Sequence, residues 1–78
     1  MVDKVNVGII GAGIMGTLRL RSFKKLKNVN VIGVVDINAE RAKEVAKKFG
    51  VKKWFTDYKE LLRNPDLDAV SVATPDFL

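Results

Sequence analysis

The sequence contains no cysteine, no histidine and no glutamine, and only two prolines. Without cysteine there is no disulfide and no thiolate ligand for a metal. Without histidine, imidazole general acid–base chemistry is excluded within these residues. No apolar run approaches the roughly 18 residues of a membrane-spanning helix, and the amino end carries no signal-peptide pattern. Membrane association is therefore not expected, and cytoplasm is the expected compartment. Acidic residues are also in the minority, 9 against 14 Lys and Arg, leaving a net charge of +5. The cations fall in helix-spaced groups such as Arg19, Arg21, Lys24, Lys25 and Lys27, interleaved with apolar positions. Such spacing describes solvated helix faces and not a stripe that tracks phosphates, so nucleic acid is not an expected partner.

What is present is an ordinary globular composition, 47% hydrophobic and 29% charged, in 78 residues. That length makes a single domain, residues 1–78, which should bury roughly 60–65% of its unfolded surface. The organising stretch is Val5 to Gly16, an apolar run closed by G-x-G-x-x-G at Gly11, Gly13 and Gly16 and followed by helical spacing. Each glycine has its own task. Gly11 permits a tight turn off the strand, Gly13 lets a pyrophosphate approach the backbone, and Gly16 lets the new helix pack closely. The first helical N–H groups, at Ile14 and Met15, then face an anion with the positive end of the helix dipole behind them. Asp36 closes the next apolar run about 20 residues beyond Gly16, the distance expected of a ribose-binding carboxylate. The bland alternative is a tight turn with a helix-capping aspartate and no ligand.

The rest of the chain reads as alternating strands and helices. Strands are expected over residues 4–10, 30–36, 51–56 and 67–73. The first helix is expected from Ile14 to about Lys27, with Ile14, Met15, Leu18, Phe23 and Leu26 as its apolar stripe and Asn28 as a left-handed stop. Asn38 caps a second helix carrying Ala39, Ala42, Val45, Ala46 and Phe49, and Gly50 ends it. Asp57 and Glu60 have capping-box spacing before a short helix with Leu61 and Leu62, which Asn64-Pro65 stops. Trp54 and Phe55 read as core. The order βαβαβαβ predicts an α/β fold: a three-layer Rossmann-type parallel sheet with strand order 3-2-1-4, a partial version of that fold. Ligands bind such sheets outside the strands' carboxyl ends at the switch point, here Gly11 to Met15, Asp36 and Ala73 to Pro75. The open edge of the fourth strand predicts self-association of the chain through residues 67–73.

Val-Gly-Ile-Ile-Gly-Ala-Gly-Ile-Met-Gly at 7–16, Val-Val-Asp-Ile-Asn-Ala-Glu-Arg-Ala at 34–42, Thr-Asp-Tyr-Lys-Glu-Leu-Leu at 56–62 and Val-Ala-Thr-Pro at 72–75 together resemble the N-terminal domain of the Gfo/Idh/MocA oxidoreductases. The resemblance implies binding of NAD, or NADP, for hydride transfer with sugar-like or polyol substrates. It implies pyrophosphate contacts at Gly11, Gly13, Ile14 and Met15, ribose contact at Asp36, Ile37 and Arg41 on the adenosine side, and Ala73, Thr74 and Pro75 toward the nicotinamide.

Asp36 accepts ribose hydroxyls and repels a 2′-phosphate, which favours NAD; Arg41 is either a group that serves such a phosphate or a solvated helix-face arginine. Thr74 has a second reading as a turn hydroxyl. No residue is a catalytic candidate: the Glu-Lys-Pro motif and substrate domain of the family are absent from the chain, so a fragment of a longer enzyme is expected. No side-chain cluster has metal-ligand composition and spacing. Two other functions fit the motif, a stand-alone nucleotide-sensing module and a non-binding half-domain scaffold that self-associates.

Overall fold

Four β-branched residues among six, Val5, Val7, Ile9 and Ile10, make Val5–Ile10 a strand, β1, and its central residues are buried. The computed structural model describes residues 4–11 and 13–73. The elements that follow are α1 (Ile14–Lys24), β2 (Val29–Val35), α2 (Ala39–Phe49), β3 (Trp54–Phe55), α3 (Tyr58–Leu62) and β4 (Ala69–Val72). All strand pairs are parallel, and the sheet order is β3-β2-β1-β4. The α/β fold and the strand order are those expected from the sequence.

One face of the sheet holds the main core. Val7 and Ile9 of β1 and Val31 and Val34 of β2 pack with Leu20 of α1, Ala46 of α2 and Val51, and Phe23, Val29, Val45 and Phe49 close the margin. Val31 and Val34 have opposite parity and could not share a face in a regular strand. The pairing explains it: Val7 pairs Val31 and Gly8 pairs Gly33, so Ile32 is an extra residue without a partner. This bulge swaps the two faces of β2 midway.

The other face is seated on glycine. Gly8 and Gly33 are register partners, and the Leu61 side chain of α3 rests on both. A Cβ at Gly8 would lie 2.5 Å from Leu61 Cδ2, and one at Gly33 would lie 2.7 Å from Cδ1. Leu61 is fully buried there.

The second helix is bounded as its sequence predicts. Asn38 accepts from the Arg41 N–H, and Gly50 takes φ 71°. The N–H groups of Gly50 and Val51 return to the carbonyls of Lys47 and Ala46, a Schellman closure with Val51 packed into the core.

Several expectations are corrected. The first helix stops at Lys24 rather than near Lys27, because its last turn tightens into bonds from Lys25 N–H to Ser22 and Leu26 N–H to Phe23. Asn28 is not left-handed, since no described non-glycine residue has positive φ; its carbonyl instead accepts the Val5 N–H at 2.8 Å. The apolar stripe of α1 was expected through Leu18 and Leu26, yet both are half exposed, while Gly16 and Leu20 are buried and Phe23 is partly so. Two residues along a helix turn the side chain by about 200°, so Leu18 and Leu20 cannot share a face. Trp54 is exposed at the outer strand and is not core.

Strands β3 and β4 are also shorter than expected, because Val51 is used to close α2 and Leu67 N–H closes a turn onto Asn64. Asp57 caps α3, but through the Lys59 N–H, while the Glu60 N–H bonds the Asp57 carbonyl. The capping box reduces to an Asx turn.

Replacing Leu61 by alanine leaves the paired glycines facing a void. Leu61→Ala should lower unfolding free energy by about 2–5 kcal/mol, read from the shift of the urea midpoint at unchanged slope.

Candidate functional site

Three strands end side by side at the carboxyl edge, and each exit is tied to its neighbour. Gly11 N–H donates to the Val35 carbonyl at 2.7 Å, Asp36 N–H to Phe55 at 3.1 Å, and Ala73 N–H to Ile10 at 2.8 Å. The predicted residues Gly11, Asp36 and Ala73 are therefore brought to one line. Thr74 and Pro75 lie outside the described residues.

Gly11 takes φ 96°, which an L side chain adopts only with strain, and so turns the chain off β1. Gly13 is the N-cap of α1, with extended backbone and no side-chain cap, and its carbonyl receives the Thr17 N–H at 2.9 Å. Ile14 and Met15 form the first helical turn, whose N–H groups have no intrahelical acceptors. That turn contains no acidic residue, unlike α2 with Glu40 and α3 with Glu60. An anion would meet the dipole end without a competing carboxylate. A Cβ at Gly16 would fall inside the Gly11 carbonyl and lie 3.7 Å from Ile9 Cγ2. The third glycine thus serves close approach of the helix to its own turn as well as to the strand.

Asp36 is buried at the end of β2, 6% exposed. Its Oδ1 accepts the Asn38 N–H at 2.8 Å, and its Oδ2 lies 3.6 Å from Arg41 Nη1. Asp36 is not the cap of α2, which is Asn38; its carboxylate is instead fixed by the N–H of that cap residue. Arg41 Nη1 also lies 3.8 Å from the position a Cβ on Gly13 would take, so the guanidinium spans from the acid toward the glycine turn. Ile37 is 94% exposed, an apolar side chain presented to solvent beside Asp36.

Sequence reasoning missed Asn38 as a partner of Asp36; the Asp-x-Asn spacing of an Asx turn was its signal. It also missed Arg19, whose Nη1 donates to the buried Ser71 hydroxyl at 2.9 Å across α1 and β4, a long-range contact without a local pattern. A cavity of about 330 Å³ opens at the opposite, amino end of the sheet, bordered by Asn6, Asn30, Lys24, Lys52, Lys53 and Asp66. Its location is remote from the glycine turn.

The groups at the carboxyl edge fit a dinucleotide. The turn has no Cβ at the two points of closest approach, the helix start is open to an anion, and a fixed carboxylate stands at the end of the second strand. The class defined by this fold and site is a dinucleotide-binding Rossmann domain.

Residues 5–78 match the model of the GFO_IDH_MocA oxidoreductase family, NAD-binding Rossmann fold. The chain belongs to the Gfo/Idh/MocA oxidoreductase family. It is 31% identical over 70 residues to myo-inositol 2-dehydrogenase of Thermotoga maritima, covering 90% of this chain and 21% of that protein. It is 37% identical over 71 residues to 4-carboxy-2-hydroxymuconate-6-semialdehyde dehydrogenase of a Sphingobium species, covering 91% of this chain and 22% of the relative. Among solved structures, myo-inositol dehydrogenase from Lactobacillus casei in complex with NAD(H) and myo-inositol superposes with TM-score 0.83 at 37% identity, over 91% of this chain and 22% of that one. The chain thus spans about a fifth of the length of these relatives. No helix among the described residues is long and apolar enough to cross a membrane.

Gly16→Ala forces its methyl against the Gly11 carbonyl. It should destabilise the fold by about 1–3 kcal/mol, visible as a lowered melting temperature in circular dichroism.

Proposed function

We propose that this chain is the cofactor-binding region of an NAD-dependent oxidoreductase that acts on a polyol or sugar-like hydroxyl. The observation that carries the reading is the buried Asp36 carboxylate held beside an open glycine turn, in a chain of this family. The N–H groups of Ile14 and Met15 with the bare backbone of Gly11 and Gly13 hold the pyrophosphate. Asp36 accepts the hydroxyls of the adenosine ribose, and Ile37 offers an apolar surface to the adenine. Ala73, Thr74 and Pro75 line the path to the nicotinamide. When bound, the nicotinamide supplies hydride acceptance or donation; the residues of this chain bind and orient it.

Relatives whose names specify inositol, including the Thermotoga maritima enzyme, support the substrate class. The Sphingobium relative acts on a semialdehyde, so the substrate pocket varies while this region persists. Family membership also favours an enzyme part over a stand-alone sensor.

Calorimetric titration with NAD tests the cofactor assignment. NAD should bind, and Asp36→Ala should weaken it about tenfold or more, the worth of hydrogen bonds to a charged acceptor. Absence of NAD binding, or an unchanged affinity in the variant, would overturn it. Reduction of NAD in the presence of myo-inositol, followed by absorbance in the intact enzyme, tests the substrate class.

A further inference from the structure

The cavity at the amino end of the sheet exists because β3 is short. That strand pairs with β2 only at Val34 and Val35, so the earlier part of β2 has no strand beside it on that side. Val31 and Ile32 border the opening from β2, and Lys52 and Lys53 border it from the link between α2 and β3. Lys24, at the end of α1, completes a group of three cations that the fold draws from distant parts of the chain.

Lys24 has a local reason for its place, since a cation suits the carboxyl end of a helix. Lys52 and Lys53 have none of that kind: they lie in neither helix nor strand, and the last turn of α2 already carries Lys47 and Lys48. No ion pair among the described residues includes any of the three, and Asp66 is the only carboxylate that borders the cavity. Like charges gathered with so little compensation repel one another, and an anion placed among them relieves the repulsion. Another part of the rim is polar and already ordered. Asn30 Nδ2 donates to Asn6 Oδ1 at 3.2 Å, Asn6 Nδ2 to the Asp66 carbonyl at 2.9 Å, and the Asp66 N–H to Asn64 Oδ1 at 2.9 Å. This chain of bonds does not use the carboxamide oxygen of Asn30 or the carboxamide nitrogen of Asn64, an acceptor and a donor that both suit hydroxyl groups.

We infer that this cavity is a second ligand site, for a small molecule with a phosphate monoester on a hydroxylated body, the lysines holding the phosphate and the asparagines the hydroxyls. The inference stands apart from the dinucleotide reading and does not need it. A phosphate monoester brings about two negative charges and three strong acceptor oxygens, which three ammonium groups can share. The volume of about 330 Å³ lies at the small end of ligand pockets and suits a single sugar phosphate.

Ribose 5-phosphate is the probe, with inorganic phosphate and ribose beside it. Each is titrated into isotope-labelled protein and followed by backbone amide shifts, which locate binding by residue. Ribose 5-phosphate should give saturable shifts at Asn30, Lys52, Lys53 and Asn64. It should bind at least about threefold more tightly than inorganic phosphate, the worth of a hydrogen bond or two to the body. Ribose should give no such shifts. Lys52→Gln with Lys53→Gln should raise the dissociation constant about tenfold or more, while Lys43→Gln with Lys47→Gln, an equal loss of charge on α2, should change it less than about threefold. Circular dichroism checks that both double variants are folded.

Shifts confined to Gly11, Gly13 and Ile14 would put the phosphate at the glycine turn and overturn the inference. Equal weakening in the two double variants would show a diffuse field in place of a site, and inorganic phosphate binding as tightly as the ester would remove the hydroxylated body; either result overturns it. Absence of any saturable shift would overturn it too, leaving Lys52 and Lys53 as charges that guard the open side of an edge strand.

Discussion

β2 carries one residue more than β1 over the span they share, and the placement of the site follows from that residue. Before Ile32, the odd-numbered side chains of β2 face α1 and α2; after it, the even-numbered ones do. The change puts Gly33 opposite Gly8 on the α3 side, where Leu61 needs both positions bare. It also puts Asp36 on the α2 side, within reach of Asn38 and Arg41. A regular strand would have sent the same carboxylate toward α3, away from the start of the helix whose residues orient it. The bulge thus reconciles two demands on one strand: a flat seat on one face and an acid on the other.

Glycine meets several unrelated needs in this small molecule. At Gly11 the need is a backbone angle, at Gly16 it is room for a carbonyl, and at Gly8 and Gly33 it is room for a leucine. Only the first two belong to the cofactor motif. The seat under Leu61 shows why a helix of five residues can cover its share of the sheet: the layers approach so closely that one fully buried side chain fills the gap.

Much of this was legible in the sequence, for identifiable reasons. The strand order came from alternation and crossover handedness, and the ends of α2 came from Asn38 and Gly50, whose effects are local. Gly11, Asp36 and their meeting at the carboxyl edge followed from motif spacing. What was misread depends on contacts distant in sequence. Leu20 lies between Arg19 and Arg21, and only the packing of α1 on β2 reveals it as fully buried. Trp54 reads as core by its chemistry, but its strand lies at one edge of the sheet. The bulge at Ile32 has no local signature in a run of β-branched residues and appears only through the register with β1.

The backbone at the carboxyl edge is cross-linked sideways, the exit residues of β1, β2 and β4 each bonded to the last carbonyl of a neighbouring strand. A ligand arriving there meets strand exits whose main-chain bonds are already made. Such cross-linking also restricts how the site can diversify. Insertions or bends at one exit would disturb the next strand over, so evolutionary change is channelled into side chains that project from the edge without supporting it. Ile37 and Arg41 are of that kind, exposed and free of any part in the sheet's ladder. Both side chains are therefore open to substitution with the strand exits left as they stand.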